Sequence, residues 1–258
     1  MKPVSPFAKL ASLDETMSAG WRALETEDVS GWVCRFSHGV TRRANSLLPL
    51  AGPADVAAAI VEAENRYARR GLPAVFQISP DCRPGTLDAT LAARGYVLDS
   101  PTLVQFLPLD ESGHQPPPGT DARIELSCLP GGAWLEAFWE VEGPHDAPQQ
   151  DTSRAILANT DSIYASLVVD GAVEAVARLA LVGNLGGIYS VATREPFRSR
   201  GHGRAVVQAL LGEASRLKLA GVWLQVVASN LAARALYESL GFENVSRYHY
   251  RVEPAARP

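Results

Sequence analysis

In the second half of the chain the apolar positions alternate between two periods. Val206, Leu210, Ala214 and Leu217 recur at helical spacing and predict a helix that Gly221 would stop. VWLQVV then reads as a strand, rich in β-branched and aromatic residues. SNLAARALYESLGF predicts a second helix, capped by Ser229 or Asn230 and closed at Gly241, and YHYRVEP predicts a last strand. Upstream, ARIELSCL predicts a strand, and GGAWLEAFWEVEG and DTSRAILANT predict two helices. SIYASLVVDGAVEAVARLALVGNLGGIYSVAT predicts strands broken at Asp170-Gly171 and Gly183-Asn184.

Part of this order recurs earlier. VAAAIVEAENRYARRGLPAVFQIS follows the scheme of AVVQALLGEASRLKLAGVWLQVVAS, and LDATLAARGYVLDSPTLVQFLPL follows LAARALYESLGFENVSRYHYRVEP. The pattern is that of a degenerate internal duplication. DESGHQPPPGTDAR, with three consecutive prolines, reads as the linker, which divides the chain into residues 1–115 and 116–258.

Composition narrows the class of protein. A length of 258 residues allows one large or two ordinary domains, and 47% apolar with 20% charged residues is usual for a folded soluble chain. The net charge of -4, without a basic stripe, argues against nucleic-acid or anionic-membrane partners. Cys34, Cys82 and Cys128 are odd in number and far apart, so no disulfide framework or zinc site is indicated. They are expected as reduced thiols of a cytoplasmic protein, packed as small hydrophobes. MKPVSPFAKLASLDE lacks a secretory apolar region, and no apolar run reaches membrane-spanning length.

One stretch stands against elementary electrostatics. REPFRSRGHGRAVVQALL opens its helix with Arg194, Arg198, Arg200 and Arg204, although a helix N-terminus is itself the positive end of the backbone dipole. Gly201 and Gly203 let the backbone approach a ligand and present N–H groups. The stretch reads either as a tight turn with solvated arginines or as an anion site. A Rossmann site would need a glycine where Val206 stands, and a P-loop would need Gly-Lys-Ser/Thr; neither pattern is met. On the following helix, Asn230, Ala233 and Tyr237 share one stripe, whereas Ala232, Ala235, Leu236 and Leu240 can face a core. Asn230 also reads as a simple cap and Tyr237 as a half-buried core residue.

Arg198-Ser199-Arg200-Gly201-His202-Gly203 resembles the Arg/Gln-x-x-Gly-x-Gly/Ala signature of the GNAT superfamily of N-acetyltransferases. NLAARALYESLGF is similar to the Asn-x-x-Ala-x-x-Leu-Tyr-x-x-x-Gly-Phe segment that follows it there. The resemblance covers residues 122–258 well and the first half only as a worn copy. It implies an α/β (α+β) fold with a mixed central sheet flanked by helices, in two tandem GNAT-like domains, the first without the pyrophosphate loop. It implies acetyl-CoA as co-substrate, with its pyrophosphate on the backbone of Arg198, Ser199, Arg200, Gly201, His202, Gly203 and Arg204. Pantetheine would lie along a splayed strand, here Tyr189 to Thr193 with Val191, Ala192 and Thr193, and beside Asn230 and Ala233. Tyr237 matches the tyrosine that protonates the departing thiolate.

The implied reaction is direct transfer of an acetyl group to a primary amine of a small molecule or peptide. The N–H of Val191 or Ala192 would stabilise the oxyanion, and Tyr237, protonated at neutral pH, would be the acid. No carboxylate lies between residues 185 and 194, so Glu140, Glu142 and His145 are the candidate bases, or water relays the proton and EVEGPHD is a solvated acidic loop. On the last strand, Tyr248 and Tyr250 alternate with His249, and one side would line the acceptor cleft. In the first half, Trp21 and Trp32 read as core, while Arg42, Arg43 and Asn45 read as an inter-domain contact or a substrate surface. The expected partners are acetyl-CoA and an amine acceptor, for a monomer or homodimer. The alternative class is a non-catalytic acyl-CoA-binding or sensor protein.

Overall fold

The computed structural model describes residues 12–109, 123–142 and 146–254. Its first half carries α1 (Leu13–Gly20), β1 (Glu25–Val29), β2 (Trp32–Phe36), α2 (Val56–Ala68), β3 (Val75–Ile78), α3 (Leu87–Ala93) and β4 (Val97–Pro108). The second half carries β5 (Arg123–Ser127), α4 (Gly132–Glu142), α5 (Ala147–Ala158), β6 (Ser162–Val169), β7 (Ala172–Val182) and β8 (Leu185–Thr193). It ends with α6 (His202–Arg216), β9 (Gly221–Val227), α7 (Leu231–Ser239) and β10 (Glu243–Val252).

β1 and β2 form a small hairpin, and the other eight strands make one sheet in the order β3-β10-β4-β9-β8-β7-β6-β5. Its pairings are antiparallel except β8 with β9. The strands of the two halves interleave: β10 lies between β3 and β4, and β4 lies between β10 and β9. Helix-strand-helix-strand thus recurs in both halves, and each last strand is inserted beside the other half's strands. The 115/116 division falls in a segment outside the described residues, and the sheet is continuous across it.

The helices form because each has an apolar stripe to bury. On α6, Val206, Val207, Leu210, Leu211 and Ala214 are buried, in a cluster with Ala175, Leu179, Ile188 and Leu224 of the sheet. The opposite face is covered by α1 and α4, where Trp134, Leu135 and Phe138 join Trp21, Tyr189 and Trp223. A third cluster, with Trp32, Ile60, Tyr67, Phe76 and Leu91, belongs to the first half. The turns expected at Asp170-Gly171 and Gly183 are there, with positive φ at all three residues.

Four local expectations need correction. α6 ends at Arg216, the chain reverses at Lys218 with φ +57°, and Gly221 opens β9 instead of stopping the helix. Smallness is what Gly221 supplies: a Cβ there would overlap the Phe106 ring and stand 3.0 Å from the Leu107 carbonyl oxygen. Leu217 lies past the last helical turn and is exposed. Ala232 and Ala235 are also exposed, because α7 buries the face of Tyr237 and Leu240 with Ala233 and Leu236 partly covered. Cys34 and Cys82 are buried, but Cys128 follows β5 at the sheet edge and is exposed. Burial pushes the Cys34 thiol up to about 12.

Gly221→Ala should lower stability by about 1–3 kcal/mol through overpacking against Phe106, read as the urea midpoint, and Phe106→Leu in the same chain should recover part of the loss.

Candidate functional site

The one parallel pairing of the sheet is short. Leu185 to Ile188 of β8 pair with Gly221 to Leu224 of β9, and there the pairing ends. Beyond it, β9 pairs on its other side with β4, up to Thr102 opposite Val227, and β8 pairs only with β7. The two strands therefore part, and among the described residues one edge of 189–193 carries no strand partner. A register shift lies between Arg178–Tyr189 and Val176–Ala192, where Ser190 takes φ +52°. The Ser190 hydroxyl is buried and has no hydrogen-bond partner among the described residues. Such a bulge re-aims the backbone of a strand at its end.

The loop after β8 leads to the start of α6. Ser199 and Gly201 have φ +62° and +84°, and Gly201 caps the helix without any side-chain bond. Left-handed residues in such a loop turn successive N–H groups to one side, where they form an anion nest. Among the described residues, no hydrogen bond is made by the N–H groups of Ser199 to Arg204. Gly203 faces the splayed strand and α7: a side chain here would stand 3.4 Å from Thr193 Oγ1 and 3.8 Å from Leu236 Cδ2. Arg204 donates to Ser239 Oγ at 2.6 Å, and His202 Nδ1 lies 3.0 Å from the buried carboxylate of Glu174 on β7. These two contacts fix the helix start against α7 and the sheet.

The arginines divide by role. Arg194 Nε lies 3.1 Å from Glu140 Oε2 and ties the loop to α4. Arg198 donates through Nε to the Thr193 carbonyl at 3.3 Å, and Arg200 sits over the Phe197 ring at 5.5 Å. Among the described residues, Arg198, Arg200 and Arg204 have no carboxylate partner. Three cations thus surround unpaired N–H groups at a positive helix end, an arrangement complementary to a polyanion.

Asn230 does cap α7, accepting from Ala233 N at 3.1 Å through its side-chain oxygen, which leaves the amide nitrogen to donate elsewhere. Tyr237 is buried in one cluster with Ile188, Val206 and Val226, next to Phe242. Burial pushes its pKa up to about 12.

A cleft of about 350 Å³ opens where the strands part. Both halves line it: Thr41, Arg43 and Thr102 from the first, and Glu142, Ser190 and Tyr248 from the second. Tyr250 shares this lining, whereas His249 points the other way and lies 2.9 Å from Asp88 Oδ1. The alternation expected of the last strand is therefore observed. Of the candidate bases, Glu142 faces the cleft, Glu140 is turned to Arg194, and His145 lies outside the described residues. Trp21 and Trp32 are buried, and Asn45 folds its own loop by accepting from Ser37 N and Gly39 N.

Sequence reasoning missed the buried charges behind this cleft. Arg35 donates to Ser46 and Gln77, and Gln77 donates to Asp14, whose carboxyl burial pushes up. Arg178 donates to Ser162 Oγ and the Gly20 carbonyl, both at 3.0 Å. Burial pulls both guanidiniums below their ordinary pKa. The available signal was a single glutamate and a single arginine inside the apolar run AVEAVARLALV.

Comparison with protein families matches residues 8–251 to the family described as "Probable histone acetyltransferase Rv0428c C-terminal". Over 249 residues, 95% of this chain and 98% of the relative, the chain is 26% identical to the uncharacterized N-acetyltransferase YobR of Bacillus subtilis (strain 168). Among solved structures, a GCN5-related N-acetyltransferase from Kribbella flavida superposes with TM-score 0.65 at 14% identity, covering 94% of this chain and 96% of that one. A tandem GNAT protein from the clavulanic acid biosynthesis pathway superposes with TM-score 0.61 at 16% identity, covering 78% and 70%. The tandem GNAT fold, the loop before α6 and a family match over nearly its whole length agree: the chain belongs to this acetyltransferase family and is a GNAT-type acyltransferase.

Proposed function

We propose that the chain transfers an acetyl group from acetyl-CoA directly to a primary amine of a small molecule or peptide. The observation that carries this reading is the set of unpaired N–H groups from Ser199 to Arg204, beside the unpartnered edge of β8. The pyrophosphate would sit on those N–H groups with Arg198 and Arg200 around it, and helix dipole and guanidinium charge act in the same sense. Pantetheine would extend along Val191, Ala192 and Thr193 as an added strand, and the Asn230 amide nitrogen and the small Ala233 would border its path.

In the reaction the neutral amine attacks the thioester carbon, and the N–H of Val191 or Ala192 holds the oxyanion. Collapse breaks the C–S bond, and the thiolate takes its proton from Tyr237. The proton lost by the amine goes to Glu142, directly or through water, while Glu140 positions Arg194 and, with it, the loop. Three unpaired cysteines, two of them buried, suit a reducing cytoplasm as the setting.

Acetyl-CoA should bind the purified chain in calorimetry, with an affinity that falls as salt rises. Arg198→Ala with Arg200→Ala should weaken it by roughly tenfold or more, the range for lost charge-assisted hydrogen bonds. No heat of binding by the wild-type chain would remove the assignment.

Tyr237→Phe should reduce kcat by roughly a hundredfold and leave the acetyl-CoA dissociation constant near the wild-type value. Because burial raises the tyrosine pKa to about 12, the acid stays protonated through the neutral and mildly alkaline range. The kcat profile should therefore rise as the acceptor amine loses its proton and show no alkaline fall below pH about 10, the ordinary tyrosine value. A fall near pH 8 would assign the acid elsewhere.

A further inference from the structure

Arg43 on the cleft lining and the fully buried Arg178 leave this region with more positive than negative charge. Arg43 and Arg178 both lie on the aromatic pair Trp21 and Tyr189, with Cζ 5.5 to 5.7 Å from the ring centroids. Neither has a carboxylate partner among the described residues. Arg178 Nη2 and Arg43 Nε are enclosed, with no hydrogen-bond partner among the described residues. The third arginine, Arg35, reaches Asp14 only through Gln77, and the neighbouring Arg42 is held by Asp99. Desolvating a guanidinium without an anion is costly, so a fold that keeps two side by side is stabilised when an anion arrives.

Of this pair, only Arg43 lines the cleft, where Ser190 adds a second polar group without a partner. The diphosphate site before α6 has its own cations, so this charge is a separate feature. Arg43 presents a planar fork that matches a carboxylate. Glu142, the one carboxylate on the cleft lining, suits an amine. About 350 Å³ is room for an acceptor of amino-acid size.

We infer that the acceptor is an amino acid or a similar molecule bearing a carboxylate near its amine, and that Arg43 binds the carboxylate. This rests on the transfer reaction proposed above. Arg43 is then a specificity residue, contributed by the half that lacks the pyrophosphate loop. The Trp21 and Tyr189 rings hold it in place, and Glu142 meets the amine end.

The test pairs α- and ω-amino acids with their carboxamides as acceptors for the full chain, with thiol release as the readout. The free acids should have kcat/KM at least roughly tenfold above their amides, the value of a charge-assisted contact. Arg43→Met should bring each pair within roughly threefold, while Arg43→Lys keeps part of the preference and both variants bind acetyl-CoA as the wild type does. N-acetylated amino acids and their amides, titrated into the chain with and without coenzyme A, read the anion site without turnover. Equal behaviour of acids and amides, a preference undiminished in Arg43→Met, or neither acid nor amide binding would overturn the inference. A preference for succinyl-CoA over acetyl-CoA as donor would do so too, by assigning Arg43 to the acyl group. Loss of the transfer reading shows differently, as absent acetyl-CoA binding in wild type, and the titration with N-acetylated acids still reports on Arg43.

Discussion

The architecture turns on the point where β8 and β9 stop pairing. A parallel pair has evenly spaced hydrogen bonds and nothing in its own geometry that ends it after four residues. What ends it here is bulk and backbone shape together. Trp223 and Tyr189 sit across the last paired residues, with the indole donating to the tyrosine hydroxyl at 3.2 Å and that hydroxyl donating to the Met17 carbonyl at 2.9 Å. They are admitted because Gly187 has no side chain: a Cβ there would lie 2.5 Å from the Trp223 ring and 2.7 Å from Tyr189. The bulge at Ser190 then turns the rest of β8 away. The unpartnered strand edge, the cleft and the approach to α6 all follow from that separation.

Charge is arranged around the opening in two unlike ways. At the α6 start the cations are exposed or half-buried and stand over backbone donors, so water screens them and a ligand has little to displace. Behind Tyr189 they are enclosed by aromatic rings, where screening is weak and each missing partner matters more. The same residue type thus serves loose capture at one end and discrimination at the other.

Much of this was legible in the sequence where the signal is local. The period of Val206, Leu210 and Ala214, the cap at Asn230 and the turn at Asp170-Gly171 are each decided within a few residues, and all three are in the structure. The arginine and glycine loop was also readable, because cations at a helix start contradict the dipole. What was not readable depends on distant neighbours. Gly221 looked like a helix stop because its constraint, the Phe106 ring, lies in the other half. Arg43 read equally as an inter-domain contact or a substrate surface, and its enclosure was not readable because Trp21 and Tyr189 come from α1's end and from β8. Ala232 and Ala235 were read as able to face a core from their place on the helix, although small residues are tolerated equally on an exposed face.

The interleaving of β4 and β10 makes the first half part of the sheet that carries the cleft. Here its final strand is the neighbour that both β9 and β10 hydrogen-bond to, so removing it would leave two raw edges in the middle of the surviving half. Neither half is therefore a detachable module: each supplies the strand that closes the other, so any reshaping of one surface is felt in the cleft that both line.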